Sequence, residues 1–258
     1  MSDQSQLKLY LSFIIIFLIF HGIGIVAKDL PYILNALITF IVVFISLLQF
    51  DKWYSNVSYS QVIINLGFHK TSLRKIYPGI LISIFLLLLY PAFYFLPGFK
   101  IYPDKNWILN LTGLCLTGGL AEEMFFRGFL FRHLRDKMNF KKAALTSMML
   151  FAAVHLVMFT YMDWAVALFS TILAVTISLP LSYLFEIADN TVWSPAIVHT
   201  TIRTIGLVIS APESSFMQMT LFWMIGCMVI PFIILFFSKD FRRIWKESNA
   251  SVSLKRSK

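Results

Sequence analysis

The chain has 258 residues, of which 58% are hydrophobic and 14% are charged. A soluble domain is nearer half apolar and a quarter charged, so this composition excludes an ordinary soluble enzyme and indicates a polytopic membrane protein. The formal net charge of +9 would suit a nucleic-acid-binding protein. We exclude that class because the basic residues collect in alternate loops and in the tail, as membrane topology requires. The expected fold class is therefore all-α, and the expected surroundings are the lipid bilayer.

Eight apolar segments are long enough to cross a bilayer as helices, which predicts a transmembrane helical bundle of about eight spans. The third segment contains Pro78 and Pro91, which are expected to bend it. The sequence shows no internal repeat and no separate soluble domain. In chain order, the predicted spans are residues 9–26, 31–50, 76–96, 107–131, 143–161, 164–185, 192–211 and 216–238.

The basic residues predict the orientation of these spans. Eight spans place both termini on one side of the membrane, together with the loops 51–75 and 132–142. Lys and Arg are dense in these two loops and in the tail 239–258. The positive-inside rule therefore places both termini in the cytoplasm. The loops of the opposite side hold only Lys28, Lys100 and Lys105.

The fourth span carries three charged side chains, Glu122, Glu123 and Arg127. A charge at the centre of a membrane helix costs about 2.5–3.5 kcal/mol, and such residues usually mark a functional site. Glu123 and Arg127 are spaced to pair on one helix face, while Glu122 lies about 100° round the helix and is expected to remain available as a proton acceptor. If Arg127 instead reached the headgroups, a carboxylate at mid-bilayer depth would stay unexplained. Gly118 and Gly119 would let a neighbouring helix approach closely.

Two further spans carry histidines. The fifth contains His155, with Phe151 as a supporting residue four positions earlier, and the seventh contains His199 and Arg203. At 1.5 Å per residue, Glu122 and His155 lie about 15 and 18 Å from the basic loops, and His199 about 10 Å. We therefore expect these side chains to meet in the cytoplasmic half of one bundle. Taken singly, either histidine could be a structural hydrogen-bonding residue.

Two carboxylates and two imidazoles at similar depth predict the activation of a water molecule. A Glu or His side chain takes a proton from the water, and the imidazoles hold the water or stabilise an oxyanion. Glu122, His155 and His199 also match a zinc site with one open coordination position. The residues leave a metal-free site and a zinc site open, although the lack of a His-Glu-x-x-His sequence excludes an ordinary zincin.

The remaining histidines and the cysteines are expected to be structural. His69 and His133 fall in basic loops and are predicted to be solvated, and His21 has no charged partner in its span. Cys115 and Cys227 lie within apolar runs, which predicts small core residues and neither a disulfide nor a metal pair.

The three motifs together resemble the CPBP family of intramembrane proteases. They are Glu-Glu-x-x-x-Arg, Phe-x-x-x-His and a third-motif His, on successive spans. These proteins, also called the Abi family, are the bacterial relatives of the CAAX prenyl-protein endopeptidase. The resemblance covers residues 107–211, including Gly-Gly-Leu-Ala before the first motif and Thr-Val-Trp-Ser-Pro before the third. It implies an all-helical intramembrane endopeptidase, with or without a metal ion, in the plasma membrane of a bacterium.

The resemblance also implies a role for each motif residue. Glu122 would be the water-activating base, with Glu123 as its partner held by Arg127. His155 would bind the water or a metal, and His199 would help to stabilise the oxyanion. If a metal is used, the implied cofactor is Zn2+, and its implied ligands are Glu122, His155 and His199.

One residue departs from the family pattern. The third motif usually has Asn or Asp four residues after its His, and here that position is Arg203. Arg203 could donate hydrogen bonds to an oxyanion, or it could pair with Glu122 or Glu123 and weaken the base. It would also repel a bound metal cation. Arg203 therefore leaves both metal binding and activity open.

These predictions divide the chain into N-terminal transmembrane helices (1–106), a catalytic core (107–211) and a last helix with a basic tail (212–258). The first hypothesis is an endopeptidase that cleaves a membrane-associated peptide or protein, in peptide processing or self-immunity. The second, motivated by Arg203, is a catalytically impaired member that acts as a membrane scaffold or regulator. The third is a proton-coupled transporter, because intramembrane Glu and His also mark proton paths, although the repeat symmetry of transporters is missing.

Overall fold

The structure is a computed structural model that describes residues 3–96 and 100–248. Within these ranges the chain is almost entirely helical, which confirms the expected all-α membrane bundle. Residues 97–99 of the predicted loop after the third span, and residues 249–258 of the predicted tail, lie outside the described residues. Two short strands, β1 (Tyr102–Pro103) and β2 (Ile209–Ser210), pair antiparallel. The α-helices are α1 (Asp3–Val26), α2 (Tyr32–Ser55), α3 (Tyr59–Asn65), α4 (Leu73–Leu87), α5 (Leu89–Tyr94), α6 (Trp107–Leu114), α7 (Arg132–Arg135), α8 (Phe140–His155), α9 (Trp164–Ile187), α10 (Trp193–Ile202), α11 (Glu213–Phe237) and α12 (Lys239–Trp245).

Six helical segments in the described ranges are long and apolar enough to cross a membrane. They correspond to the first, second, third, fifth, sixth and eighth predicted spans, so the chain is a multi-pass membrane protein. The third span is divided at Leu88 into α4 and α5. Pro91 lies just after this division, where its ring would clash with the carbonyl group four residues earlier in a regular helix.

The fourth predicted span is also helical, but its hydrogen bonding changes along its length. Helix α6 continues without a break into π-helical turns at Cys115–Ala121 and Met124–Phe131, and then into α7. Glu122 and Glu123 lie between the two π-helical stretches. π-helical turns are rare and occur frequently at functional sites. Their position on both sides of Glu122 and Glu123 therefore indicates a functional site at this motif.

The prediction of a helix throughout 192–211 is wrong after Ile202. Helix α10 ends there, and the chain continues through turns to β2, next to the loop before α6. Gly206 adopts a φ of 77°, in the left-handed region that favours glycine. The carbonyl group of Ile202, left free at the helix end, accepts a hydrogen bond of 2.9 Å from Trp223 Nε1. The seventh segment is therefore part helix and part irregular chain.

The ends of the helices form two opposite faces. On one of them Arg132 donates to Asp51 at 2.8 Å, and Arg135 donates to Glu186 at 2.8 Å. We call this the basic face, and it comprises residues 51–75, 132–142, 186–193 and 238–248.

The other face lies at the opposite ends of the helices. Asp104 N donates to Val208 O at 2.9 Å, and the rings of His21 and Tyr161 are 5.9 Å apart. Successive loops along the chain lie alternately on the two faces, as eight crossings require. The cytoplasmic location of the basic face stays a prediction from its charge. We call the opposite one the far face, and it comprises residues 21–31, 100–106, 156–164 and 203–213.

Aromatic side chains fill the half of the bundle next to the basic face. Phe129, Phe131, Phe140 and Phe185 are fully buried. The ring of Phe131 packs edge-on against Phe140 and Phe185, with centroids 5.9 and 6.1 Å apart. This edge-to-face arrangement is favourable between aromatic rings. The packing fixes the helix 107–135, which carries Glu122 and Glu123 and which we call the charged helix, against α8 and α9.

The prediction that His133 is solvated is wrong. The residue is 3% exposed, its ring lies 4.2 Å from that of Tyr54, and its Nε2 lies 2.5 Å from Asp51 Oδ1. Asp51 is itself fully buried, so it requires partners, and His133 and Arg132 supply them. Burial lowers the pKa of His133, because the charged imidazolium would lose its hydration.

Two other expectations change. His69, also predicted to be solvated, is half-buried, and its two ring nitrogens lie 3.1 and 3.0 Å from the carbonyl oxygens of Ile64 and Asp189. Cys227 is buried as predicted, whereas Cys115 is exposed, and both are free thiols. An apolar run does not show which side of a helix faces the core. The exposure of Cys115 could therefore not be predicted from the apolar residues around it in the sequence.

Gly128 allows the end of α3 to lie close to the charged helix. A Cβ at Gly128 would lie 2.5 Å from the carbonyl oxygen of Leu66 and 2.9 Å from its carbonyl carbon. We expect Gly128→Ala to destabilise the protein by about 1–3 kcal/mol, because backbone atoms cannot move aside by changing rotamer. The measurement is the thermal unfolding midpoint of the purified protein in detergent. Gly22→Ala is the control, since nothing lies within 4 Å of a Cβ there, and equal midpoints for both variants would contradict the prediction.

Candidate active site

Glu123 and Arg127 form the predicted ion pair inside the bundle. Arg127 Nη1 donates to Glu123 Oε1 at 3.0 Å, and both side chains are fully buried. Arg127 Nη2 also lies 3.3 Å from the hydroxyl and from the carbonyl oxygen of Ser178 on α9. The guanidinium carbon is 5.0 Å from the centre of the Phe151 ring. Arg127 therefore anchors Glu123 in the interior and does not reach the headgroups.

The same carboxylate orients His199. His199 Nδ1 lies 2.6 Å from Glu123 Oε1, and the residue is buried. An ionised carboxylate only accepts hydrogen bonds, so Nδ1 carries the hydrogen and donates it. The other ring nitrogen, Nε2, then faces Glu122 and lies 3.7 Å from its Oε2. This separation is longer than a hydrogen bond, so the two atoms can share a water molecule.

Glu122 is held by a cation, contrary to the prediction that it remains free. Arg203 Nη1 donates to Glu122 Oε1 at 2.6 Å. Of the alternatives for Arg203, ion pairing with Glu122 is the one that the structure shows. A nearby cation stabilises the carboxylate charge and so opposes proton uptake by Glu122. Spacing along one helix could not reveal this contact, because Arg203 follows the end of α10 and Glu122 lies on another helix.

The two glycines of the first motif make this arrangement possible. A Cβ on Gly118 would lie 2.6 Å from Arg203 Cδ. One on Gly119 would collide with the hydroxyl of Thr200 and lie 3.3 Å from the carbonyl oxygen of Ala196. The glycines therefore let α10 approach the first π-helical stretch closely, as predicted.

His155 reaches the site from the end of α8. Its Nδ1 donates to the carbonyl oxygen of Phe151 at 2.8 Å, which leaves a lone pair on Nε2. The Phe151 ring is edge-on to both histidines, with centroid distances of 4.5 Å to His155 and 6.5 Å to His199. Phe151 therefore packs against both imidazoles and against Arg127, which is a supporting position.

A cavity of about 530 Å³ joins these side chains. Glu122, His155, His199 and Arg203 line it, and Glu123 lies fully buried beside His199. The structure thus brings the four residues predicted to be catalytic into one site. The two glutamates differ in exposure. The side chain of Glu122 is 16% exposed, and that of Glu123 is 0% exposed.

The cavity lies in the half of the bundle next to the far face, whereas the sequence predicted a site in the half next to the basic loops. Counting residues gives the depth of a backbone position, but it does not show where packing leaves space. Aromatic side chains fill the half next to the basic face, so the open volume lies in the other half. Helix α8 also begins at Phe140, earlier than predicted, which places His155 farther from the basic face.

The proposed zinc ligands do not fit a zinc site in this chain. Among the described residues, no three His, Cys, Asp or Glu side chains are grouped to hold a metal ion. Glu122 holds the Arg203 guanidinium, whose charge would repel a second cation nearby. The Nδ1 atoms of His155 and His199 donate to protein oxygens, so only their Nε2 atoms could bind a metal ion. We therefore derive no catalytic step from a metal.

Sequence reasoning missed two residues that support the site. Ser178 supplies two oxygens to Arg127, and Trp223 caps the end of α10 beside Arg203. Several serines and tryptophans occur in the apolar spans, and no spacing distinguishes these two from the others. Only the rotation of α9 and α11 about their axes brings them to the site.

Comparison with protein families agrees with this arrangement. Residues 104–205 match the family model described as type II CAAX prenyl endopeptidase, Rce1-like. The resemblance to the CPBP intramembrane proteases is confirmed. The matched range contains Glu122, His155 and His199, and it also contains Arg203, at which the chain departs from the CPBP pattern. A search of curated proteins found no match for the chain.

Proposed function

We propose that the chain is an intramembrane endopeptidase that cleaves a membrane-associated peptide or protein with a water molecule activated by Glu122. The match over residues 104–205 supports a CAAX-type protease. The observation that carries the mechanism is the pair of atoms Glu122 Oε2 and His199 Nε2, which face each other at 3.7 Å beside the cavity. The second ring nitrogen of His199 is held by Glu123, as the imidazole of a catalytic triad is held by its carboxylate.

In the proposed reaction a water molecule lies about 2.8 Å from Glu122 Oε2 and donates a second hydrogen bond to His155 Nε2. Glu122 takes a proton from the water as the water oxygen bonds to the scissile carbonyl carbon. His199, oriented by Glu123, donates a hydrogen bond from Nε2 to the carbonyl oxygen, where negative charge develops. The C–N bond then breaks, and the proton on Glu122 passes to the leaving amine.

Arg203 has two opposing effects in this mechanism. It positions the Glu122 carboxylate through Oε1 and leaves Oε2 for the water. It also stabilises the negative charge on Glu122, which makes the carboxylate a weaker base. We infer that Arg203 slows the reaction and does not abolish it.

The substrate class follows from the surroundings of the site. A catalytic carboxylate inside a membrane bundle acts on a substrate that enters or borders the membrane. For this chain we propose a membrane-associated peptide or protein in the plasma membrane of a bacterium, in peptide processing or self-immunity. A prenylated substrate, to which the family description refers, is not part of the proposal.

A second candidate function is that of a catalytically impaired family member that regulates a partner in the membrane. The 2.6 Å contact between Arg203 and Glu122 favours it, because a permanently paired carboxylate would not accept a proton. Under this alternative, Glu122→Ala and His155→Ala would leave the cellular phenotype unchanged. Under the proposed function, each of these substitutions abolishes processing while the protein still inserts.

The experiment that tests the proposed function compares peptide termini in membranes of cells with the wild-type protein and with Glu122→Ala. We expect a small set of new termini that depends on Glu122 and identifies the substrate. Glu213→Ala is the matched control, because Glu213 is exposed at the far face, at the start of α11. Identical termini in all three samples would contradict proteolysis.

A further inference from the structure

The cavity beside Glu122 extends from the middle of the bundle to the far face. Its inner end holds the polar groups of the site. Its outer end includes Tyr161 and Met162, whose exposed fractions are 59% and 41%. Among the described residues, the loops of the basic face contribute nothing to its wall. The route to the catalytic carboxylate therefore leads away from the basic face.

The positions of the lining residues along their helices also indicate that the cavity opens toward the far face. The cavity contacts α1 at Phe17 and His21, in the half of α1 that ends at the far face. It contacts α11 at Thr220 and Met224, in the half of α11 that begins at the far face. Most of the wall therefore consists of the far-face halves of the helices, and Phe125, Phe126 and Ile177 lie just past the midpoints of theirs.

The chemistry of the cavity changes along its length. Charged and imidazole groups lie at the inner end, and apolar side chains such as Phe20, Leu173 and Met224 line much of the remaining wall. The volume of about 530 Å³ is that of a small-molecule site, so the cavity holds a short stretch of chain and not a folded domain. An extended peptide segment fits this gradient, with apolar side chains against the wall and its scissile amide at Glu122.

We propose, on the basis of the endopeptidase function, that the substrate reaches Glu122 from the non-cytoplasmic half of the membrane. The substrate is an extended apolar segment of a peptide or protein that is inserted in that leaflet or exposed beside it. The proposal combines the direction of the cavity with the charge of the two faces. The described far-face loops carry four basic residues, Lys28, Lys100, Lys105 and Arg203, and the last of these is paired with Glu122. Because Lys and Arg are far denser on the basic face, the positive-inside rule places the far face outside the cytoplasm.

Cysteine labelling in intact cells tests the access route without requiring catalysis. The native thiols are first removed by Cys115→Ser and Cys227→Ala. Ser170→Cys then places one thiol on the cavity wall, and Ser72→Cys places one on the exposed part of the basic face as the matched control. The probe is a small, positively charged methanethiosulfonate that does not cross membranes. Each variant is treated in intact cells and again after permeabilisation, and modification is read by mass spectrometry.

We expect Ser170→Cys to be modified in intact cells and Ser72→Cys only after permeabilisation. Modification of Ser170→Cys only after permeabilisation, or in neither preparation, would overturn the proposed route. So would modification of Ser72→Cys in intact cells, because the basic face would then lie outside. Tyr161→Cys at the cavity mouth is a second variant that reports the same route if Ser170→Cys fails to fold.

The positions of the Glu122-dependent termini test the substrate class. Termini in non-cytoplasmic segments, or in the adjoining half of a membrane segment, support the proposal. Termini in cytoplasmic segments would overturn the access route and leave the endopeptidase function intact. If no terminus depends on Glu122, the endopeptidase function fails and the proposed substrate with it, while the labelling result still decides the direction of the cavity.

Discussion

Replacing Arg127 by methionine is expected to destabilise the protein by about 3–5 kcal/mol, the cost of breaking a buried ion pair by removing one partner. Glu123 would lose the donor at 3.0 Å and keep only the hydrogen bond from His199. Methionine has a similar length and no donor, so the hydroxyl of Ser178 would also lose its contact with Arg127, while the carbonyl oxygen of Ser178 would keep the hydrogen bond from Ser182 Oγ. The measurement is the unfolding free energy of the purified protein in mixed detergent micelles.

Two controls separate this effect from a general effect of losing an arginine. Arg243→Met removes a cation whose side chain is 77% exposed and which pairs with Asp240 on the surface, so we expect a change below about 1 kcal/mol. The double variant Arg127→Met, Glu123→Gln leaves no unpaired buried charge, so we expect it to recover part of the lost stability. An Arg127→Met variant as stable as Arg243→Met would show that the buried pair does not hold the site together.

Replacing Glu122 by glutamine is expected to lower the rate of substrate cleavage by about 10²–10⁴-fold, the usual contribution of a positioned general base. Glutamine keeps an oxygen that can accept from Arg203, so the helix packing should be retained. It cannot take a proton from water at neutral pH, which is the step assigned to Glu122 Oε2. The measurement is the cleavage rate of the peptide identified from the termini, with protein reconstituted in lipid vesicles.

Glu213→Gln makes the same chemical change at an exposed position of the far face, and we expect it to cleave at the wild-type rate. Equal unfolding midpoints for Glu122→Gln and the wild type are needed to assign the loss to chemistry. A Glu122→Gln variant that retains more than a tenth of the wild-type rate would exclude Glu122 as the base.

Much of the fold could be predicted because the bilayer limits the choices. An apolar run of sufficient length becomes a helix, because a helix pairs all its backbone N–H and C=O groups within one segment. Outside a closed β-barrel, no other backbone structure does so in lipid. The pair of Glu123 and Arg127 could be predicted because both residues lie on one helix, where spacing alone decides whether two side chains meet. The close approach at Gly118 and Gly119 follows from the same local reasoning.

The contacts between segments could not be predicted from the sequence. A membrane helix is apolar around most of its surface, so its pattern does not show how it is rotated about its axis. That rotation decides that His199 contacts Glu123, that Arg203 contacts Glu122, and that Asp51 contacts His133. The end of α10 at Ile202 depends likewise on a distant partner, the indole of Trp223.

The structure assigns distinct partners to the two glutamates. Glu123 is buried and orients His199 while Arg127 holds it, which is a positioning role. Glu122 lines the cavity and is the only one of the two among the described lining residues. In the proposed mechanism, its pairing with Arg203 is therefore the contact that restrains it as a base.

The most direct test of this dependence is the cleavage rate of the identified peptide by four forms of the protein in lipid vesicles. They are the wild type, Arg203→Asn, Glu122→Gln and the double variant. We expect Arg203→Asn to cleave on the order of tenfold faster, the effect of about 1.4 kcal/mol in the barrier, because Glu122 is released from its cation. The double variant should be as slow as Glu122→Gln. A folded Arg203→Asn that has lost activity, or a double variant that remains fast, would contradict the assignment of Glu122 as a base restrained by Arg203.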